Sequence, residues 1–315
     1  MSSYFNIPVV DFNELTSGDE SRMACFVQDL GAAFEDSGFV RLANPGVTGK
    51  SIEELYHSAE RFFSLPYEVK RKYETPVGAG QRGYTPFGVE HARGFQAPDL
   101  KEFYQFGQPE DPGGGPCNEN ILVTEIPELN QRALKLFRSF EKTGKYLMRA
   151  VARYLALDEG YFEEWVNGGS SILRIIHYPP ILREPEHSIR AEQHEDINLI
   201  TLLAGASSEG LEILDREGSW IPVTAGPREL LVNVGDMLQR LTNDRFHSAT
   251  HRVVNPGRDE WHLSRYSIPF FLHPRTNMPL NCLVSCITPA HPIPYPDLTA
   301  GQYLGERLRE IGLRK

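Results

Sequence analysis

His194-Glu195-Asp196 stands at the start of the β-prone run Ile197-Asn198-Leu199-Ile200-Thr201-Leu202-Leu203. On a strand over 194–204 the first and third residues share a face, so an imidazole and a carboxylate converge while Glu195 points away. That pair is two-thirds of a 2-His-1-carboxylate facial triad, which holds non-haem Fe(II) and leaves positions open for O2 and a chelating molecule. The third donor has to come from another strand. His251, in Ser248-Ala249-Thr250-His251-Arg252-Val253-Val254, is the candidate. His247 and His251 also have the spacing of a helical zinc pair. On the strand expected at 246–254, however, they stand ~13 Å apart, too far for one ion.

Arg265-Tyr266-Ser267 repeats the i, i+2 logic on the next strand. A guanidinium fork with a hydroxyl beside it suits bidentate capture of a carboxylate. An arginine on a strand continuing Ile268-Pro269-Phe270-Phe271-Leu272 is costly to bury without an anion. Tyr178, which ends the strand Ile172–Tyr178 before Pro179-Pro180, is placed to offer its phenol to the same carboxylate.

The elements that must carry these residues change character along the chain. Residues 1–165 read as mainly helical. Met23, Phe26, Val27, Leu30 and Phe34 recur at helical spacing before Gly38, and Ser51-x-x-Glu54 reads as a capping box opening a helix that Pro66 ends. A third helix fits Glu128 to about Leu157. Between the second and third lies a long Gly/Pro-rich loop, residues 76–120. Tyr84, Phe87, Arg93, Phe103 and Tyr104, in or beside it, suit either a pocket lining or ordinary aromatic packing. After residue 170 the period becomes two, with strands expected at 171–178, 194–204, 211–214, 219–223, 229–234, 246–254 and 264–272. Short strands at this spacing indicate a mainly β core, a double-stranded β-helix or jelly roll, with the N-terminal helices packed outside the barrel. The expected organisation is one domain over 1–315: a helical region to 165, the jelly-roll core over 166–290 and a C-terminal segment from 291.

Composition removes other classes. A net charge of −10 without a basic stripe argues against nucleic acid or an anionic membrane as partner. The N-terminus carries no signal-peptide pattern, and no apolar run approaches the ~18 residues of a membrane span. The four cysteines, Cys25, Cys117, Cys282 and Cys286, form no C-x-x-C pair, so reduced thiols and a cytoplasmic location are expected. Gly78-Ala79-Gly80-Gln81-Arg82-Gly83 matches G-x-G-x-x-G, yet no strand–helix context surrounds it, and it reads as a loop rather than a nucleotide site.

At these motifs the chain resembles the Fe(II)/2-oxoglutarate-dependent oxygenases of the isopenicillin N synthase-like family. The resemblance spans nearly the whole chain. Ile7-Pro8-Val9-Val10-Asp11 is similar to the family's opening strand, and Gly38-Phe39-Val40 through Asn44-Pro45-Gly46 and Phe62–Pro66 to its N-terminal region. Gly235-Asp236-Met237-Leu238, Leu241-Thr242-Asn243 and Ser248-x-x-His251-Arg252-Val253 are similar to its C-terminal signature. It implies that His194, Asp196 and His251 are the iron ligands and that Arg265, Ser267 and Tyr178 grip the distal carboxylate of 2-oxoglutarate. Fe(II), O2 and 2-oxoglutarate are then the cofactors, no catalytic side chain is needed beyond the metal centre, and the partner is a small-molecule substrate with no obligate protein partner. Two departures stand out. Asn44-Pro45-Gly46 replaces the family's Asn-His-Gly, and Ile176-His177-Tyr178-Pro179 replaces its Asn-Tyr-Tyr-Pro. Two other readings remain open: an isopenicillin N synthase-like oxidase whose Arg265 grips the substrate's own carboxylate, and a non-catalytic jelly-roll binding protein.

Overall fold

Side-chain alternation decides which way each strand faces. The computed structural model describes residues 7–74, 81–95, 97–109, 119–226, 228–289, 292, 295–311 and 313. Among them the strands are β1 (Val9–Asp11), β2 (Phe39–Ala43), β3 (Gly83–Thr85), β4 (Glu102–Gly107), β5 (Ile172–Tyr178), β6 (Ala191–His194), β7 (Ile200–Ala204), β8 (Leu211–Leu214), β9 (Trp220–Pro222), β10 (Glu229–Val234), β11 (His251–Val253) and β12 (Arg265–Leu272). The helices are α1 (Phe12–Leu15), α2 (Glu20–Asp36), α3 (Gly49–Phe63), α4 (Tyr67–Lys70), α5 (Pro127–Tyr154), α6 (Glu163–Val166), α7 (Asp236–Leu241) and α8 (Ala300–Glu310).

The strands form an eight-stranded sheet, β1-β2-β10-β7-β12-β5-β4-β3, and a four-stranded sheet, β6-β11-β8-β9. Along β12, Tyr266, Ile268, Phe270 and Leu272 belong to an apolar cluster shared with α2, α3 and α5. The alternate residues Ser267, Pro269 and Phe271 line a cavity instead. The same division holds on β7, where Ile200, Leu202 and Ala204 face the helices while Thr201 and Leu203 face the cavity. Each large apolar side chain buried under the helices contributes roughly 1.5–3 kcal/mol. Phe270, for example, is stacked on Phe140 at 5.7 Å and meets the edge of Phe137 at 5.0 Å. A second apolar cluster draws Phe39, Phe103, Ile176 and Leu231 from the large sheet and Leu211, Ile213 and Val253 from the small one. The two sheets are therefore the walls of the jelly roll, and the helices back the larger wall from outside.

The structure corrects several sequence expectations. The strand expected over 194–204 is two, β6 and β7, which lie in different sheets; the chain crosses between them over 195–199. The strand expected over 246–254 shrinks to His251–Val253. The region to 165 also supplies four strands, with β2 paired antiparallel to β10 and β4 to β5, so the stretch 76–120 is not all loop. Gly78 and Gly80 lie outside the described residues. Helix α3 is capped by Thr48, whose hydroxyl accepts from the Ser51 amide, rather than by the expected Ser51–Glu54 box. Helix α5 runs Pro127–Tyr154, and Gly38 ends α2 at φ +71°, where a Cβ would meet the His247 carbonyl oxygen at 1.9 Å.

Candidate active site

β6 and β11 pair antiparallel with His194 directly opposite His251. Their ring centroids are 4.4 Å apart. Each Nδ1 faces a carbonyl, Glu192 O at 2.7 Å for His194 and Ala249 O at 3.1 Å for His251. A carbonyl only accepts, so Nδ1 carries the proton in both rings and Nε2 keeps its lone pair for a metal. Asp196 arrives from the crossing segment. Its Oδ1 lies 4.0 Å from Nε2 of His194 and 3.8 Å from Nε2 of His251, and among the described residues these are the three metal-binding side chains that cluster. Convergence thus comes from a turn and a register pair, not from i, i+2 on one strand. His247 is exposed and takes no part.

Backbone and side chains together fix Asp196. The amides of Asp236 and Met237, in the first turn of α7, donate to the carbonyls of Asp196 and Asn198, and the Gly235 amide donates to Leu199 O. A Cβ on Gly235 would meet Asn198 Oδ1 at 2.2 Å, so only glycine lets α7 approach this closely. Thr201 Oγ1 (2.6 Å) and Asn233 Nδ2 (2.8 Å), register partners on β7 and β10, both donate to Asp196 Oδ2. Burial works to raise the Asp196 pKa, but His251, His194 and these hydrogen bonds outweigh it and hold it below the ordinary value. Burial, with His251 adding, pushes His194 down to about 4. His194 is therefore neutral and Asp196 ionised near pH 7, the states in which they can bind a divalent ion. Asn233→Leu is expected to weaken Fe(II) binding ~10–100-fold, the usual loss when a ligand's orienting partner goes. Anaerobic metal titration measures it; unchanged affinity would mean that Asn233 does not orient the carboxylate.

The residues expected to bind an anion lie on the same side of the large sheet. Arg265 on β12 stands opposite Tyr178 on β5, its guanidinium 5.0 Å from the phenol ring centroid. It is 2% exposed. Its Nε donates to the carbonyls of Ser208 and Glu209, whereas its Nη1 is buried with no hydrogen-bond partner. Arg190 is a second buried guanidinium beside it, with Nε unpartnered and its head 6.0 Å from the Tyr178 ring. Burial, with Arg265 adding, lowers the Arg190 pKa to about 10. Two like charges buried side by side with open donors are suited to an anion. The sequence reading missed Arg190, which sits in no motif.

Known proteins match most of the chain. Residues 7–125 match the family described as non-haem dioxygenase in morphine synthesis N-terminal, and residues 169–274 match the 2OG-Fe(II) oxygenase superfamily. Proline hydroxylase buaE of Petromyces alliaceus is 33% identical, with 95% of this chain and 97% of that protein covered. The chain belongs to the 2OG-Fe(II) oxygenase superfamily. A crystal structure of a 2OG-Fe(II) oxygenase family protein from Caulobacter crescentus has a TM-score of 0.86 at 41% identity, covering 97% of this chain and 99% of that one. A full-length Neurospora crassa protein in complex with alpha-KG has a TM-score of 0.87 at 29% identity, covering 98% and 97%. The oxygenase is of the isopenicillin N synthase-like type, and its cofactors are Fe(II), 2-oxoglutarate and O2.

The oxygenase's main cavity, about 160 Å3, takes in His194, Asp196, His251, Ser267 and Tyr178. Arg265 faces an adjoining cavity of about 170 Å3 that shares Leu203 and Leu211 with the first. The aromatic candidates fall elsewhere. Tyr84 and Tyr104 pack toward the helices, Phe103 lies under Arg174, Phe87 is exposed, and Arg93 is paired with Glu310. Between residues 81 and 101 the cavity lining is mostly polar: Gln81, Glu90, His91, Asp99 and Lys101, with Ala92. No composition or period marks them, because β3 and β4 bring them in only after pairing with β5. Leu304 and Leu308 of α8 also line the cavity.

Proposed function

We propose that His194, Asp196 and His251 hold the Fe(II), and that Arg265, Ser267 and Tyr178 hold the distal carboxylate of 2-oxoglutarate. The protein is an enzyme that couples oxidative decarboxylation of 2-oxoglutarate to oxidation of a small organic molecule. The observation that carries the assignment is the buried, unpartnered Arg265 Nη1 between the same two sheets as the three-donor cluster. When bound, Fe(II) would activate O2 as the oxidant, with two of the four electrons that O2 takes up drawn from 2-oxoglutarate, which leaves as succinate and CO2, and two from the substrate. The chain's part is to bind and orient. The two imidazoles present Nε2, Thr201 and Asn233 hold Oδ2 of Asp196 and leave Oδ1 toward them, and Arg265 would hold the cosubstrate's distal carboxylate. Ser267 and Tyr178, the latter in register with Arg265, add hydroxyl partners for the same carboxylate.

The substrate is read as a small molecule. Among relatives, one is named a proline hydroxylase, and the Neurospora crassa protein has been solved with alpha-KG and thymine. The volume of the cavity beside the three donors, about 160 Å3, supports the same size class. One domain over residues 1–315 is supported by β1 and β2, which extend the large sheet from the N-terminal region. Among the described residues no helix is long and apolar enough to cross a membrane. The free thiols of Cys25, Cys282 and Cys286 support a cytoplasmic location; Cys117 lies outside the described residues.

The test is anaerobic addition of Fe(II) and then 2-oxoglutarate, followed by O2. The expected result is a visible charge-transfer band that needs both additions, then succinate. A band without 2-oxoglutarate dependence, or no succinate with O2 consumed, would favour an oxidase that dispenses with the cosubstrate.

A further inference from the structure

The cavity's other end is polar in a different way. His273, one residue past β12, is eight residues from Arg265, ~26 Å along an extended strand. Nearby, Arg174 and Gln105 are register partners on β5 and β4, and Arg174 Nε donates to Gln105 Oε1 at 2.9 Å. Arg174 Nη1 donates to both oxygens of Glu90, at 3.1 and 3.3 Å. Lys101 Nζ lies 2.7 Å from Glu90 and 2.7 Å from Asp99. All of these line the main cavity. The Arg174 guanidinium is also seated 4.1 Å from the Phe103 ring centroid.

Every charge in this cluster is already matched. Burial works to raise the Glu90 pKa, and Arg174 and Lys101 outweigh it, holding the carboxyl at about 2. Two cations therefore face two anions. A carboxylate or ammonium delivered here would be desolvated without a free counter-ion, or would have to break an existing pair. His273 is the exception to this saturation. It is 5% exposed, lines the cavity, and its Nδ1 has no hydrogen-bond partner. Burial pushes its pKa down to about 4, so the ring is neutral near pH 7 and offers one donor and one acceptor. Ile172, Pro269 and Phe271 supply apolar lining to the same cavity.

We propose that this end of the cavity recognises an uncharged, hydrogen-bonding group of the substrate, such as a lactam, cyclic amide or ring hydroxyl, with His273 as the specificity-determining contact. Substrates that would bury a free carboxylate or ammonium here are turned away. The inference rests on the assignment of Arg265 to 2-oxoglutarate, which leaves this end for the substrate.

Six-membered-ring probes of similar size separate the chemistries: 2-piperidone, cyclohexanecarboxylate, and piperidine, which is cationic at neutral pH. Each is titrated calorimetrically, without O2, into enzyme loaded with Fe(II) and 2-oxoglutarate. The lactam is expected to bind at least about tenfold more tightly than either charged probe. H273L is expected to lose about tenfold in lactam affinity with 2-oxoglutarate affinity unchanged, and H273N, which keeps a donor and an acceptor, to recover most of it. Tighter binding of a charged probe, no binding of 2-piperidone, or wild-type lactam affinity in H273L overturns the proposal. The probe comparison on the unmutated enzyme stands whether or not H273L folds. Failure of 2-oxoglutarate to bind the unmutated enzyme overturns the Arg265 assignment and this proposal with it, and so is told apart from failure of the substrate-end reading alone.

Discussion

His251→Ala is expected to abolish Fe(II)-dependent succinate formation while the chain still folds. His251 presents Nε2 to Asp196 Oδ1 at 3.8 Å, and its Nδ1 is held by the Ala249 carbonyl. Removing it leaves one imidazole and one carboxylate. Losing a ligand outright is expected to cost more than the ~10–100-fold that follows loss of an orienting partner. The fold has less at stake. Besides the His194 ring, the His251 ring meets the edge of Phe39 at 5.9 Å, and β11 keeps its backbone pairing with β6 and β8. A thermal melt separates the two effects. A ligand that binds the native state raises the melting temperature with the logarithm of its concentration over Kd, so Fe(II) or Mn(II) is expected to stabilise the unmutated protein and not the variant. Retained activity with a normal metal-dependent shift would show that the third donor is another residue.

The sequence and the structure part company at this site in an instructive way. All three donors were named from residue type and position, yet the geometry behind the expectation was a continuous strand, and the chain instead crosses between sheets at 195–199. The outcome survived because two other constraints were already satisfied. His194 and His251 are register partners, and the Gly235-Asp236-Met237 turn grips the Asp196 and Asn198 carbonyls. Strand pairing and a tertiary turn are not visible in local periodicity. The jelly-roll core was legible because β5, β7, β10 and β12 alternate cleanly between helix-facing and cavity-facing residues. β3 and β4 were not. β4 is buried on both faces, so Glu102–Gly107 shows no polar–apolar alternation, and it lies inside a Gly/Pro-rich stretch. The polar wall of Glu90, Lys101 and Gln105 was hidden for that reason. Arg190 was hidden for another: its meaning comes from Arg265 and Tyr178, which reach it only through the fold.

Arg265→Leu is expected to weaken 2-oxoglutarate binding by ~2–5 kcal/mol, roughly thirtyfold to several-thousandfold, with Fe(II) affinity unchanged. A purely structural arginine predicts something different, and ligand-free stability tells the two apart. The hydrogen bonds made by Arg265 Nε end on carbonyls of Ser208 and Glu209, which are exposed residues that water can serve in its place. The charge itself is a burden to the empty protein, since Nη1 has no partner and Arg190 repels it. Leucine removes an uncompensated buried cation, so the ligand-free variant is expected to melt at or above the unmutated temperature, while the rise caused by 2-oxoglutarate disappears. Arg265→Lys keeps the charge but loses the planar fork, and is expected to recover only part of the affinity. Arg190→Met, which leaves Arg265 in place, is expected to have a smaller effect than Arg265→Leu. If Arg265→Leu melts well below the unmutated protein and still binds 2-oxoglutarate normally, the guanidinium supports the sheet, and the cosubstrate carboxylate is held elsewhere.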